Sequence, residues 1–326
     1  MNTQKRRTAL VTGGATGIGK AITLKLFEEG FNVVVADFNE EQGEEISKIS
    51  DERLGEIVFY KTNVTDTKNV KNLLEFTRKN FDNINTLINN AGVAGAKGWE
   101  NESVSRDEDW KASWNVNILG LINVTNQFLP ELQENIGSRI VNIASVSGRQ
   151  GRPSLPHYSS TKAAVINFTK SLHMRLENFD ITVNTVCPGL IWTPMWEQVG
   201  LKYSNTQEKY KGFNAREVFD DMVNQTIPLG REQTPQDVAD LVYFFVVEDS
   251  SGFSGQAVNV DGGFFLNWYV RTMYKEKTIN SDLVLLSNSE FVKNNLKMFI
   301  RKFSKQKNNE ILKISKIIEL EDISIN

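Results

Sequence analysis

The sequence predicts one α/β domain of three layers, a doubly wound parallel sheet covered by helices on both faces, followed by a C-terminal extension. Short apolar runs rich in Val and Ile alternate along the chain with longer segments whose apolar residues recur at helical spacing. The runs are mostly apolar and β-branched, without the strict alternation of half-buried strands, which is typical of parallel strands buried on both faces. Right-handed crossovers then place the ligand site at the carboxyl ends of the strands.

The predicted strands are short apolar runs that end at glycine or polar residues. Thr8–Thr12 (TALVT) and Asn32–Ala36 (NVVVA) are the first two. Their length and β-branched content favour strands over helices. The same pattern predicts the remaining strands: Glu56–Lys61, Thr86–Ile88, Arg139–Ile143, Thr182–Val186 and Ala257–Val260.

The predicted helices are longer and amphipathic. In Gly17–Gly30, apolar residues Ile18, Ile22 and Leu26 recur at helical spacing, and the closing glycine is a common stop signal. The same criteria predict the other helices: Glu40–Ser50, Asp66–Asn80, Trp110–Leu132, Ser159–Phe179 and Gln236–Val247. Residues 190–230 form a long polar connection rich in aromatic residues, which predicts a functional lid.

Composition predicts a cytoplasmic protein that binds neither membrane nor nucleic acid. The net charge is −3, and no apolar run approaches the roughly 20 residues that cross a bilayer. Cys187 is the single cysteine, which favours a reducing compartment. Residues 268–326 contain 11 Lys and Arg against 7 Asp and Glu, whereas residues 1–267 carry a net charge of −7. We therefore divide the chain there, and the extension is either a basic interface helix or disordered.

A glycine-rich turn between the first strand and the first helix predicts a nucleotide site. Gly13, Gly17 and Gly19 allow a tight turn and a close approach of the backbone to a pyrophosphate at the helix N-terminus. Asp37 follows the second strand, 18 residues after Gly19, where its carboxylate can accept from both ribose hydroxyls. It would repel the 2′-phosphate of NADP, so NAD is the predicted cofactor. The alternative is that Asp37 caps the next helix.

Several motifs in order give the chain a resemblance to the short-chain dehydrogenase/reductase family over residues 8–267. They are the residue 12–19 glycine motif, Asp37, Asn89-Asn90-Ala91-Gly92, Asn117, Ser145, Tyr158-Ser159-Ser160-Thr161-Lys162, Pro188-Gly189 with Thr193, and Val260-Asp261-Gly262-Gly263. The resemblance implies a Rossmann fold, a nicotinamide cofactor and a catalytic tetrad of Asn117, Ser145, Tyr158 and Lys162. It also implies a homo-oligomer, a tetramer or a dimer, formed through the two long helices.

The tetrad makes chemical sense for the interconversion of a secondary alcohol and a ketone. Tyr158 and Lys162 are four residues apart and so share one face of a helix. A tyrosine with an ordinary pKa near 10 needs positive charge beside it to act as a base near pH 7. Lys162 and the nicotinamide ring of NAD⁺ can supply that charge, and Ser145 can polarise the substrate oxygen. No metal site is predicted, because His157 and His173 are the only histidines.

The predicted cofactor site extends along the carboxyl ends of the strands. Its residues are Gly13, Thr16, Gly17, Ile18, Gly19, Asp37, Asn63, Val64, Asn90, Ala91, Gly92, Tyr158, Lys162, Pro188, Gly189, Ile191 and Thr193. Many family members have Asp-Val where this chain has Asn63-Val64. The Asn carbonyl oxygen can still accept a hydrogen bond from the adenine amino group.

The substrate is predicted to be a small polyol, diol or sugar alcohol. The residues expected to contact it are Ser147, Arg152, His157, Trp192 and Trp196. Two alternatives stay open. One is a 3-oxoacyl-acyl-carrier-protein reductase that uses NADPH. The other is a catalytically silent, NAD-sensing scaffold, although such a protein would typically lack Tyr158 or Lys162.

Overall fold

The computed structural model describes residues 6–51 and 53–266 and confirms the predicted fold. Seven strands of the described part form a parallel sheet in the spatial order β4-β2-β1-β5-β6-β7-β8. Their bounds are β1 Thr8–Thr12, β2 Asn32–Asp37, β4 Gly55–Lys61, β5 Thr86–Asn89, β6 Ser138–Ile143, β7 Ile181–Pro188 and β8 Ala257–Val260. A two-residue strand, β3 (Ser50–Asp51), pairs antiparallel with β4 at the outer edge.

Helices cover both faces of the sheet. Their bounds are α1 Gly17–Glu28, α2 Glu40–Ser47, α3 Thr67–Asn80, α4 Asp107–Trp114, α5 Leu121–Glu134, α6 Pro156–Arg175, α7 Pro194–Thr206, α8 Ala215–Thr226 and α9 Pro235–Val246. A π-helical turn, Asn115–Gly120, joins α4 to α5. None of these helices is long and apolar enough to cross a bilayer.

The continuous apolar character of the strands follows from burial on two sides. Along β1, Ala9 and Val11 pack into one core with the inner faces of α1 and α9. Leu10 points the other way and packs with Val124 and Phe128 of α5. Alternate side chains of a strand point to opposite faces, so most positions of a strand covered on both sides are apolar.

The strand order reverses direction at β1, which fixes where a ligand can bind. β1 pairs with β2 on one side and with β5 on the other, although the chain passes through α2, β4 and α3 between these two strands. The helices that follow β1 and β5 therefore leave to opposite faces of the sheet. The crevice between their carboxyl ends is the ligand site expected for such a sheet.

Several predicted boundaries were wrong, and local hydrogen bonds explain the differences. The long helix starts at Asp107 rather than Trp110, because the Asp109 side chain accepts from the Arg106 N–H at 2.9 Å and so satisfies a backbone group at the helix start. The next long helix starts at Pro156 rather than Ser159, since proline is favoured in the first turn. The second predicted helix ends at Ser47, and the following residues form β3 instead.

The polar connection of residues 190–230 is largely helical. Thr193 caps α7, with Pro194 in the first helical turn. Asn214 and Glu217 form a capping box at the start of α8. The division of the chain at residue 267 stays a prediction, since residues 267–326 lie outside the described residues.

Candidate active site

A cavity of about 390 Å³ opens at the carboxyl ends of β1, β5, β6 and β7. It brings together most of the site residues that the sequence predicts. Those that line it are Gly13, Thr16, Gly17, Ile18, Gly19, Asn90, Ala91, Gly92, Ser145, Ser147, Arg152, Tyr158, Lys162, Pro188, Gly189, Ile191, Thr193 and Trp196. We call this cavity the cleft.

The glycine turn at one end of the cleft is closely packed against the loop after β5. The Asn90 amide nitrogen donates to the carbonyl oxygens of Thr12 (3.1 Å) and Gly13 (2.8 Å). A Cβ atom on Gly19 would lie 1.8 Å from the Gly13 oxygen, so only glycine fits there. Gly17 has a positive φ of 53°, which also favours glycine.

The N-terminus of α1 faces this turn and suits an anion. No described side chain caps it, so its first N–H groups are left to bind a ligand. A free helix N-terminus with glycines around it is the usual phosphate site of dinucleotide-binding folds. The residues present therefore fit the pyrophosphate of a nicotinamide cofactor.

Asp37 links the end of β2 to the glycine turn. One carboxylate oxygen accepts from the Ala15 N–H and the other from the Asn39 N–H, both at 2.9 Å. The alternative that Asp37 caps α2 is wrong, because Asn39 is the cap and accepts from the Gln42 N–H. Asp37 is half-buried and lies near the glycine turn, beside the place predicted for the ribose.

Asn63 and Val64 do not line the cleft as predicted. The Asn63 side-chain oxygen accepts from the backbone N–H (3.0 Å) and the hydroxyl (2.9 Å) of Thr65. Both lone pairs of that oxygen are thereby used, and none is left for an adenine amino group. Val64 is buried against Gly120, whose added Cβ would lie 2.6 Å from it. The prediction that Asn63 holds the adenine is not supported by this arrangement.

Tyr158 and Lys162 lie on α6 and face the middle of the cleft. The Lys162 Nζ is 5.7 Å from the centre of the Tyr158 ring and donates to the Ile143 carbonyl oxygen at 2.9 Å. Ser145 follows β6 and hydrogen-bonds with Tyr158. The Ser145 Oγ also accepts from the Ser147 N–H at 3.1 Å. A carbonyl oxygen placed between Ser145 and Tyr158 could receive hydrogen bonds from both.

Asn117 lies in the π-helical turn, below the loop after β5. Its side-chain oxygen accepts from the Val93 N–H at 2.8 Å, and its amide donates to the Val93 oxygen and the Thr161 hydroxyl at 3.0 Å each. A Cβ on Gly92 would lie 3.2 Å from the Asn117 oxygen and 3.4 Å from the Lys162 Nζ. Asn117 and Lys162 therefore approach the same glycine, and π turns are frequent at functional sites.

Burial shifts the pKa values of this pair in opposite directions. Removal from water raises the pKa of Tyr158 to about 12, and the hydrogen bond from Ser145 and the charge of Arg152 offset that only in part. Removal from water lowers the pKa of Lys162 to about 8. Both shifts disfavour the charged form. The protein alone therefore does not lower the Tyr158 pKa. For Tyr158 to act as a base near neutral pH, its phenolate must also be stabilised by the positive charge of a bound cofactor.

The Lys162 shift predicts that Lys162→Met stabilises the protein at pH 7. The folded protein holds Lys162 with a pKa near 8, and the unfolded chain has a value near 10.5. Between these values the unfolded chain binds the extra proton, so the wild type gains stability as the pH rises. Wild type should be less stable than Lys162→Met at pH 7, by up to about 3 kcal/mol, and the gap should narrow by pH 9.5. Urea unfolding of both proteins at several pH values measures this; a gap independent of pH would contradict it.

His157 and Trp192 do not line the cleft, which corrects the prediction that they contact substrate. His157 is 1% exposed, and its two ring nitrogens bond to the Ser105 hydroxyl (2.8 Å) and the Ala94 oxygen (2.6 Å). Burial also lowers its pKa, so it holds the loop after β5 in place as a neutral group. Trp192 packs against Phe219 at 5.2 Å between ring centres.

Four more cleft residues, on α7 and before α6, lie in segments that the sequence predicts to line the pocket, residues 147–157 and the lid at 190–213, but were not named individually. Gln198, Val199 and Tyr203 line the cleft together with Leu155. Gln198 also accepts a hydrogen bond from the Trp99 indole at 3.3 Å. The signal that would have found the α7 residues is the Thr193-Pro194 helix start, which sets a helical spacing for the residues after it.

Comparisons with known proteins agree with this geometry. The family model described as short chain dehydrogenase matches residues 7–204. The chain is 35% identical over 260 residues to the 3-oxoacyl-acyl-carrier-protein reductase FabG of Thermotoga maritima, which covers 80% of this chain and 98% of that protein. It is 35% identical over 266 residues to the L-2,3-butanediol dehydrogenase of Corynebacterium glutamicum, with 80% and 99% covered.

Solved structures show the same fold. An actinorhodin polyketide ketoreductase with NADPH superposes with a TM-score of 0.72 at 33% identity, covering 81% of this chain and 99% of that one. Because the family model and both relatives match most of the described residues, the chain belongs to the short-chain dehydrogenase family. Enzymes of this family act on CH–OH groups with a nicotinamide cofactor.

Proposed function

We propose that this enzyme interconverts a small secondary alcohol, of the polyol, diol or sugar-alcohol class, and its ketone with NAD(H). The observation that carries the proposal is that Tyr158, Lys162 and Ser145 share one cleft with the uncapped N-terminus of α1. The L-2,3-butanediol dehydrogenase among the relatives supports the substrate class. We extend the proposal to a cytoplasmic homo-oligomer, a tetramer or a dimer.

In this proposal each catalytic residue has one task. The nicotinamide ring, when bound, takes or gives the hydride. Ser145 holds the substrate oxygen, and Tyr158 takes the alcohol proton in oxidation and returns it in reduction. Lys162 stabilises the phenolate with its charge, and Asn117 is a positioning residue beside Gly92 and Lys162.

Asp37 carries the proposed preference for NAD over NADP. Its carboxylate is anchored by two backbone N–H groups, and Ala15, Thr16 and Phe38 offer no cation to a 2′-phosphate. The carboxylate would therefore repel that phosphate. The relative in the solved structure binds NADPH, so the preference of this chain has to be measured directly.

We expect wild type to show a kcat/KM at least about 10-fold higher with NAD⁺ than with NADP⁺, and Asp37→Ala to narrow that ratio. Asp37→Asn is the matched variant, because it removes the charge and keeps one side-chain oxygen, which can accept from either the Ala15 or the Asn39 N–H group. Both variants should narrow the ratio. A wild type that prefers NADP⁺ would rule out this account of Asp37.

The experiment that tests the proposed function is a screen of polyols, diols and hydroxyketones, followed by absorbance of the reduced cofactor. The expected result is NAD⁺-dependent oxidation of at least one diol or polyol. The identity to a 3-oxoacyl-acyl-carrier-protein reductase favours a second candidate, the reduction of an acyl thioester with NADPH. Acetoacetyl thioesters with NADPH therefore belong in the same screen, and faster turnover there would favour this candidate. Tight NAD binding without turnover of any compound would indicate a silent scaffold.

A further inference from the structure

Arg152 is a cation in the cleft with no carboxylate partner among the described residues. It lies in the loop before α6 and lines the cleft together with Tyr158. Its Nε is buried and donates to no acceptor. Arginine is a strong donor of five N–H bonds, and a buried donor without an acceptor costs about 1–3 kcal/mol. An acceptor that arrives with a ligand would remove that cost.

The surroundings hold the guanidinium in place. Its central carbon lies 4.9 Å from the centre of the Phe264 ring, which is 2% exposed. This contact is a cation–π interaction that fixes the plane of the group. The backbone of the loop is also fixed, because the Arg152 carbonyl oxygen accepts from the Leu155 N–H at 3.0 Å. The cation is therefore positioned before any ligand binds.

The charge of the cleft lining is positive. Among the described residues that line it, the charged ones are Arg152 and Lys162, and none is Asp or Glu. Lys162 already donates to the Ile143 oxygen. The charge of Arg152 also acts on Tyr158, where it favours the phenolate. An anionic group that enters next to Tyr158 would thus meet one free cation and no opposing carboxylate.

We propose that Arg152 binds a carboxylate of the substrate, so that the enzyme prefers hydroxy acids and their oxo acids over neutral diols. This inference rests on the proposed oxidation of a small secondary alcohol with NAD(H), and it changes the preferred alcohol from a neutral diol or polyol to a hydroxy acid. A guanidinium binds a carboxylate through two parallel N–H bonds, which are about twice as strong as bonds between neutral groups. A neutral hydroxyl at the same place would accept one weaker bond.

The test compares matched substrates that differ in the proposed group. Lactate is paired with 1,2-propanediol and 3-hydroxybutyrate with 1,3-butanediol, each with NAD⁺. In at least one pair, the wild-type kcat/KM should be at least about 10-fold higher for the acid than for the diol. Arg152→Gln should raise the KM for the acid by about 10- to 100-fold relative to the KM for the diol, whereas the loss of its charge beside Tyr158 should lower kcat for both substrates alike. Arg152→Lys should fall between the two, since it keeps the charge without the planar fork.

Arg175→Gln is the matched control, because this arginine is exposed at the end of α6 and does not line the cleft. It removes the same charge and should leave the kcat/KM for both the acid and the diol unchanged. A second readout does not depend on turnover: propionate, but not 1-propanol, should change the fluorescence of NADH bound to wild type, and Arg152→Gln should lose that effect. Thermal unfolding of each variant shows that it is folded.

Two results would overturn the inference and leave the proposed function standing. One is a wild type whose kcat/KM for each diol equals or exceeds its kcat/KM for the matching acid. The other is an equal loss of kcat/KM for acid and diol in Arg152→Gln, which would indicate a general effect on the cleft. If wild type oxidises neither these pairs nor any alcohol of the wider screen, the proposed function fails. The binding measurement then tests the inference about Arg152 separately: propionate that leaves the NADH fluorescence unchanged would overturn it.

Discussion

Replacing Tyr158 by Phe should lower kcat by about 10²- to 10⁴-fold with the cofactor still bound. Proton transfer by a positioned side chain contributes roughly 10²- to 10⁴-fold, and no other cleft residue carries an ionisable hydroxyl next to both Ser145 and Lys162 within the described part of the chain. Within residues 6–51 and 53–266, Ser145 is the side chain that bonds with the lost hydroxyl, so the free energy of unfolding should change by about 1 kcal/mol or less. Steady-state kinetics on an active alcohol, with NADH affinity from fluorescence titration, measures both effects.

The control for that variant is Tyr243→Phe. Tyr243 lies on α9, outside the cleft, and its hydroxyl bonds with Glu29. Tyr243→Phe also removes one tyrosine hydroxyl and its hydrogen bond, and kcat should stay within about twofold of the wild-type value. If Tyr158→Phe kept more than about a tenth of wild-type kcat, another residue would have to be the general acid and base.

Gly19→Ala should weaken NADH binding by about 100-fold or more. The added Cβ would lie 1.8 Å from the Gly13 oxygen and 2.5 Å from the Asn90 side-chain nitrogen. The first contact is with backbone, so the glycine turn has to move away from the position that suits a pyrophosphate. A 100-fold loss corresponds to about 3 kcal/mol. Isothermal titration with NADH measures the loss, and thermal unfolding should show a lower Tm.

Gly252→Ala serves as the matched control for the glycine turn. Gly252 has open space where a Cβ would be added and lies away from the cleft. The same substitution there should leave NADH affinity and activity unchanged. Unaltered affinity in Gly19→Ala would mean that the cofactor does not use this turn.

The sequence predicted best what depends on local spacing. The glycine turn, Tyr158 and Lys162 could be found because each motif lies within a few residues of chain and at a fixed place relative to a strand or helix. The fold class was predictable for a similar reason. A strand covered on both faces leaves a continuous apolar run that is visible without any structure.

The errors concern one side chain whose partners lie far away in the chain, His157, and one whose oxygen is taken by a local hydrogen bond, Asn63. His157 precedes Tyr158 by one residue, and consecutive residues of a helix point in different directions. It therefore faces Ala94 and Ser105, which lie 63 and 52 residues earlier in the chain. Asn63 was predicted to face a ligand, but asparagine readily bonds to backbone two residues on, and here Thr65 takes its oxygen. No spacing in the sequence shows either contact.

The central claim is that hydride passes from the carbinol carbon of an alcohol to a nicotinamide, with Tyr158 taking the proton. The most direct measurement uses an active alcohol labelled with deuterium at its reacting carbon. After reaction with NAD⁺, the account predicts deuterium at the C4 position of the NADH ring by NMR, a ketone as the other product, and no transfer by Tyr158→Phe. Recovery of the label in water, or equal transfer by Tyr158→Phe, would contradict it.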